Sequence, residues 1–217
     1  MFEKLGKWIW RLLLVYIALL VVESAACVAI IVALSGPADA DLTDAQTTAA
    51  SSGLLTMQYA GYAQVVVYIA LVVLFLRLLY KAVQQAKSFS TPFTYVSPGW
   101  AVGYWFVPVM NLYRPFQVVK ALFAACTHEA GPGAKSAVGE QLLGAWWAML
   151  LIGNMASWAL ARSDIDMSSR AGVTSFVGYD IACNLLLIVG AVLFSLVVKH
   201  LVRAMGIIST AKTVPGG

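Results

Sequence analysis

Charge is what this chain has least of. Asp, Glu, Lys and Arg make up 11% of its 217 residues, whereas a soluble globular chain carries about a quarter. Histidine is scarce, with only His128 and His200, so a zinc or haem centre lacks ligands. The three cysteines, Cys27, Cys126 and Cys183, lie far apart in apolar segments, with no CxxC pair and no metal-ligand spacing. They are expected to be buried free thiols, and neither a metal nor a cofactor is expected. Catalytic signatures are missing too: there is no Gly-x-Ser-x-Gly elbow, no His-Glu-x-x-His and no Walker loop. His128 and Glu129 are adjacent and have the chemistry for acid–base work, but in the stretch 127–133 they read as a solvated loop pair. An enzyme is the least favoured class.

What is present is apolar. The hydrophobic share is 61% and the mean hydropathy is +0.83. The apolar residues fall in runs without a polar stripe, which argues against a greasy soluble bundle. Four runs, 8–34, 54–79, 142–160 and 173–198, reach the length of about 20 residues that a spanning helix needs. They predict an all-α integral membrane protein, a four-helix transmembrane bundle forming one domain over residues 1–217. Lys4, Lys7 and Arg11 followed by an apolar run, with Ala38-Asp39-Ala40 beyond it, resemble a signal peptide and its cleavage site. The uninterrupted run from Leu12 to Leu34 exceeds the h-region of about 7–15 residues, so a retained first span is expected.

The formal charge is +4, but the basic residues sit beside apolar runs, as the positive-inside bias requires, and not in a nucleic-acid patch. No nucleic-acid partner is expected. With four spans and both termini cytoplasmic, twelve of the 14 Lys and Arg fall on the inner side, leaving Arg162 and Arg170 outside. A fifth span over 100–126 would send Lys135, Lys199, Arg203 and Lys212 outward and erase most of that bias. The expected location is the bacterial inner membrane. Pairs at four-residue spacing, Gly153/Ser157 and Gly178/Ala182, are expected to let helices approach closely.

Residues 98–127 then lie at the cytoplasmic face, between spans 2 and 3. Pro108 and Pro115 would each break a continuous helix, leaving pieces too short to span. From Phe116 onward Val119, Leu122, Phe123 and Cys126 share one helical face, with Pro115 suited to the first helical position. Two placements fit: a helix lying in the interface, with Trp100, Tyr104, Trp105 and Tyr113 as headgroup-level anchors, or a re-entrant pair of short helices whose broken backbone is shielded by protein.

The same stretch carries a resemblance. It opens on Pro98-Gly99-Trp100, continues through Trp105-Phe106-Val107-Pro108 and Asn111-Leu112-Tyr113-Arg114-Pro115, and runs into a short helix. This pattern resembles a bacterial membrane family catalogued as domain of unknown function number 4328. The resemblance covers roughly the second span through the fourth, while the first span matches only in character. It implies a multi-span bacterial membrane protein and carries over no activity.

Two constellations have chemistry. Ionisable residues inside a span are costly and default to functional hypotheses. Glu23, Gln64 and Asn184 each lie about 15–16 Å into their spans at 1.5 Å per residue. Asp180, one turn from Asn184, and Asn154 lie nearer the outer surface, so the five would form an intramembrane polar belt. No Lys or Arg lies at that depth, and the belt reads either as a proton or cation relay or as interhelical hydrogen bonding that sets helix register; the second is favoured. The other constellation is Asn111, Arg114 and Lys120 among the aromatics. A guanidinium at headgroup level suits a lipid phosphate or a partner's carboxylate; equally, Arg114 and Asn111 would serve to tie down backbone groups freed by the prolines.

The reading that follows is a non-enzymatic membrane protein presenting a cytoplasmic aromatic/Arg site to lipids, to a partner membrane protein or to another copy of itself. The alternative is a small proton, cation or solute pathway through Glu23 and Asp180. Both termini and residues 81–140 are predicted to be cytoplasmic. Single-cysteine accessibility checks this: periplasmic labelling at position 135 with cytoplasmic labelling at position 166 would overturn it.

Overall fold

Short polar motifs start two of the long helices. In the computed structural model, which describes residues 1–36, 42–130 and 140–213, Thr43 precedes a helix beginning at Asp44. The Thr43 amide donates to Gln46 Oε1 at 3.0 Å and the Gln46 amide donates to Thr43 Oγ1 at 3.3 Å, a reciprocal capping box. Ser169 does the same work ahead of Arg170, its Oγ accepting from the Gly172 amide at 3.0 Å. Just before it, the Asp166 carboxylate accepts from the hydroxyl and the amide of Ser168 at 2.6 and 2.9 Å. Those bonds hold the Asp166 carboxyl below its ordinary value.

The element order is α1 (Phe2–Ala33), α2 (Asp44–Ala86), α3 (Pro98–Gly103), α4 (Pro108–Asn111), α5 (Arg114–Ala130), α6 (Glu140–Ala161) and α7 (Arg170–Thr213). Among the described residues there is no strand. Four helices, α1, α2, α6 and α7, are long and apolar enough to cross a membrane, in the places the apolar runs indicated. They extend past those runs. Residues 44–53 are polar and lie ahead of the second apolar run, yet they form the first turns of α2, where a capping box and several alanines favour helix. Asp39, Asp41, the Ala38–Ala40 triplet and Lys135 fall outside the described residues.

The chain divides into two compact units. The first comprises residues 1–12, 70–148 and 192–217. Its centre is aromatic. Phe75 of α2 meets Trp105, Trp146 and Phe194 edge-on, with ring centroids 5.6, 6.1 and 5.0 Å away, and Trp146 stacks on Phe194 at 5.7 Å. Edge-to-face rings align the positive edge of one quadrupole with the negative face of the next. The apolar side of α5 also turns inward: Val119, Leu122, Phe123 and Cys126 are buried, with Val118 beside them. That corrects the expectation of an α5 face laid on the bilayer. The protein's own core covers it. Burial, followed by the nearby Glu129, pushes the Cys126 thiol up to about 12, and all three cysteines are buried and free.

His128 and Glu129 belong to the last turn of α5 and not to a loop. The Glu129 carboxylate accepts from the amide of Ser90 at 2.8 Å, anchoring the connection that follows α2. This first unit holds twelve of the chain's 14 Lys and Arg and three of its 10 Asp and Glu.

The second unit comprises residues 13–69 and 149–191 and holds two basic and seven acidic residues. Ala26, Cys27, Ile30, Met57 and Val177 form its buried apolar cluster. Small residues allow the approach: a Cβ on Gly53 would lie 2.5 Å from Ile30 Cγ1, and one on Gly153 would lie 3.1 Å from Leu187 Cδ2. Gly178, also expected at a close contact, faces open space within the chain.

The turn into α7 has no room for a side chain at Gly172, where a Cβ would sit 1.8 Å from the Asp166 carbonyl oxygen. Gly172→Ala must move backbone and is expected to cost about 1–3 kcal/mol, as overpacking does. Thermal unfolding in detergent reads this as a lowered Tm; an unchanged Tm would show that the turn yields freely.

Candidate functional site: an aromatic elbow and a buried polar cluster

Between α2 and α5 the chain makes an elbow whose local structure follows from its prolines and glycines. Ser97 caps α3, its Oγ accepting from the Trp100 amide at 3.3 Å, with Pro98 in the first turn where no amide is needed. Val107 is extended, with φ −95° and ψ 111°, as a residue before proline prefers. Pro108 then opens α4, and Pro115 takes the second position of α5, one later than the sequence suggested. Tight i→i+3 bonds bridge the breaks: the amides of Trp105 and Phe106 donate to the carbonyls of Val102 and Gly103 at 3.1 and 3.0 Å, and the Tyr113 amide donates to the Met110 carbonyl at 3.2 Å. Such turns spend fewer residues per bond than an α-helix and keep the backbone satisfied through the bend.

One carbonyl of the elbow is met from outside it. Trp147 Nε1 of α6 donates to the Leu112 carbonyl at 3.0 Å, while its ring contacts Trp105 at 5.8 Å and Phe116 at 6.4 Å. For the Leu112 carbonyl, the tying role that the sequence offered to Arg114 and Asn111 is filled by an indole. The adjacent pair Trp146-Trp147 was its only trace in the sequence. Asn111 is half-buried at the end of α4, and Lys120 is exposed on α5.

Arg114 has a different setting. Its guanidinium lies over the rings of Tyr104 at 5.7 Å and Tyr113 at 5.6 Å, where the π-faces attract a cation. Hydrogen bonds to the Tyr95 and Tyr113 phenols hold its protonated form further above the ordinary arginine value. Tyr95 in turn donates to Gln117 Oε1 at 3.2 Å. Tyr95 and Gln117 were not singled out by sequence, because their link to Arg114 is made by the folded chain and not by spacing. Of the expected anchors, Trp100 lies tilted against Tyr104 at 5.4 Å and stays exposed, as does Tyr113, while Trp105 turns into the aromatic core. Two buried nitrogens, Trp105 Nε1 and Arg114 Nε, have no hydrogen-bond partner among the described residues.

Within the second unit, four of the five intramembrane polar residues meet. Gln64 Nε2 donates to Glu23 Oε2. Asn184 Nδ2 reaches Asp180 Oδ2 at 3.1 Å and Glu23 Oε2 at 3.4 Å, so a single amide faces both carboxyls. Cys27 adds its thiol, 3.4 Å from Asp180 Oδ2 and 3.6 Å from Met57 Sδ. Gly61 stands against Glu23, whose Oε1 would be 4.0 Å from a Cβ there. Met57, Gly61 and Gln64 recur every three to four residues on one face of α2, a signal that was available in sequence but hidden by their ordinary chemistry. Glu23 and Asn184 are 8% and 3% exposed. Asn154 stays outside the cluster: it is exposed, and its Nδ2 donates to the Leu150 carbonyl of its own helix at 2.6 Å. Among the described residues no group of three or more His, Cys, Asp or Glu is placed to hold a metal ion.

Four helices of membrane-crossing length and composition define the class, a multi-pass membrane architecture. Residues 39–203 match the family described as Domain of unknown function (DUF4328), and the chain belongs to that family. No curated protein and no solved structure matches it.

The polar cluster predicts an asymmetry among substitutions at Glu23. Glu23→Gln keeps acceptor and donor capacity toward Gln64 and Asn184 and should leave folding and expression close to wild type. Glu23→Lys places a cation against the same amide donors and should prevent accumulation of folded protein. Size-exclusion profiles and Tm in detergent decide; equal tolerance of both would mean that water reaches this position and would favour a pathway over a sealed contact.

Proposed function

We propose that this is a non-enzymatic protein of the bacterial inner membrane, with its termini and α3–α5 at the cytoplasmic face. Its elbow presents Arg114 and the surrounding aromatics to lipid headgroups or to a partner protein. The observation that carries the proposal is the tyrosine cradle around Arg114, beside exposed Trp100 and Tyr113. Set over two rings, the guanidinium is pre-oriented, and its planar fork suits bidentate contact with phosphate or carboxylate. Support for the orientation comes from charge: the compact unit containing the elbow also contains twelve of the 14 basic residues, the excess that retains a face in the cytoplasm.

A second reading, a proton or cation pathway, draws on the amide of Asn184 facing both Glu23 and Asp180. Burial of Glu23 and Asn184 among Ala26, Cys27 and Met57 favours a register-setting contact instead.

Arg114→Lys tests the recognition site, because lysine keeps the charge and loses the fork. Binding to anionic vesicles, or crosslinked partner recovered from native membranes, should fall several-fold while Tm in detergent stays within a degree or two. Asn111→Ala serves as a companion variant. Loss of stability alone, or equal loss of both, would leave the elbow as a structural turn.

A further inference from the structure

The elbow is bare on one side and pinned on the other. Phe106, Val109 and Leu112, spaced three residues apart, are 71%, 71% and 58% exposed. Their neighbours point the opposite way: Ala101 and Pro115 are buried, Trp105 packs on Phe75 and Trp147, and the Leu112 carbonyl is held by the Trp147 indole. An apolar tip on a fixed base marks a surface that meets something apolar. From Pro98 to Tyr113 there is no Asp, Glu, Lys or Arg; the first charge is Arg114.

We infer that the α3–α4 elbow is a membrane wedge, with the Phe106–Val109–Leu112 face entering the boundary between acyl chains and headgroups of an anionic leaflet and Arg114 at the level of the lipid phosphates. This rests on the reading of the elbow as an interfacial site and names its ligand. Four observations argue for lipid as the occupant. The connection bearing the elbow joins α2 to α6, two helices of membrane-crossing length, so it emerges beside a bilayer. Its broken backbone is bridged by i→i+3 bonds at 102–106 and 110–113 and by Trp147 at Leu112, which lowers the cost of leaving water. The unit that carries it is strongly basic, which repels a second copy of the same surface and matches anionic headgroups. Aromatic rings at the rim, Trp100 and Tyr113, suit the headgroup layer.

The test places a spin label on the full chain in nanodiscs of equal phosphatidylglycerol and phosphatidylcholine. Val109→Cys and Phe106→Cys carry the label at the tip, and Gln117→Cys carries it on the exposed side of α5. The unsubstituted chain, whose own cysteines are buried, sets the background. Collision with oxygen, which concentrates in lipid, is compared with collision with a water-soluble nickel chelate. The wedge predicts an oxygen-to-nickel ratio several-fold higher at 106 and 109 than at 117. Nickel access at both tip positions equal to that at 117 overturns it. So does shielding from both reagents, the sign of a protein occupant. Such a failure is distinguishable from failure of the interfacial reading: if Arg114→Lys still loses binding at constant stability, the site survives and only its insertion falls.

Discussion

A backbone amide or carbonyl away from water must find its partner in the protein, and much of this chain is organised around that constraint. In the long helices the i→i+4 ladder meets it automatically. Where Pro108 and Pro115 interrupt the ladder, the chain meets it with tight turns and with one indole, Trp147, donating to the Leu112 carbonyl. That bond also fixes where the elbow sits, because the same ring packs against Trp105 and Phe116. The aromatic centre of the first unit therefore does two things. It fills the core through Phe75, Trp146 and Phe194, and it supplies the donor that an interrupted backbone requires.

The same constraint governs the side chains of the second unit. Two carboxyls, two amides and a thiol are arranged so that each finds a complementary group on a neighbouring helix: Glu23 with Gln64 and Asn184, and Asp180 with Cys27, while Asn184 also bonds Asp180 within α7. Interhelical bonds of this kind are worth about 0.6–2 kcal/mol each in membranes. Their larger effect is on register, since sliding α1, α2 or α7 by one residue would rotate a polar group out of the cluster and leave the rest unpaired.

Membership of a family of unknown function supplies no chemistry, so any role must be argued from the residues. The elbow divides its labour. Trp105 faces inward and holds the elbow to the core, Trp100 and Tyr113 face outward, and Arg114 lies across the tyrosines between them. Tyr95 and Gln117, outside the conspicuous part of the motif, extend the hydrogen-bonded surroundings of Arg114.

The amino-acid sequence by itself determined the helical class, the four helices of membrane-crossing length and the family: the first two are written locally, in apolar runs and proline breaks, and the family match runs along residues 39–203. It also indicated that Glu23, Gln64, Asp180 and Asn184 are worth examining, because a polar residue within an apolar run is conspicuous. Only the tertiary structure decided which of them meet. Asn154 has the same chemistry and the same kind of neighbourhood in sequence, yet it bonds back to Leu150 on its own helix. Likewise the apolar face of α5 looked ready for a bilayer and is covered by protein, while in the elbow before it Phe106, Val109 and Leu112 are exposed. The pattern along a helix shows that a side is apolar, but not whether lipid or another helix covers it, since both are equally good apolar surroundings.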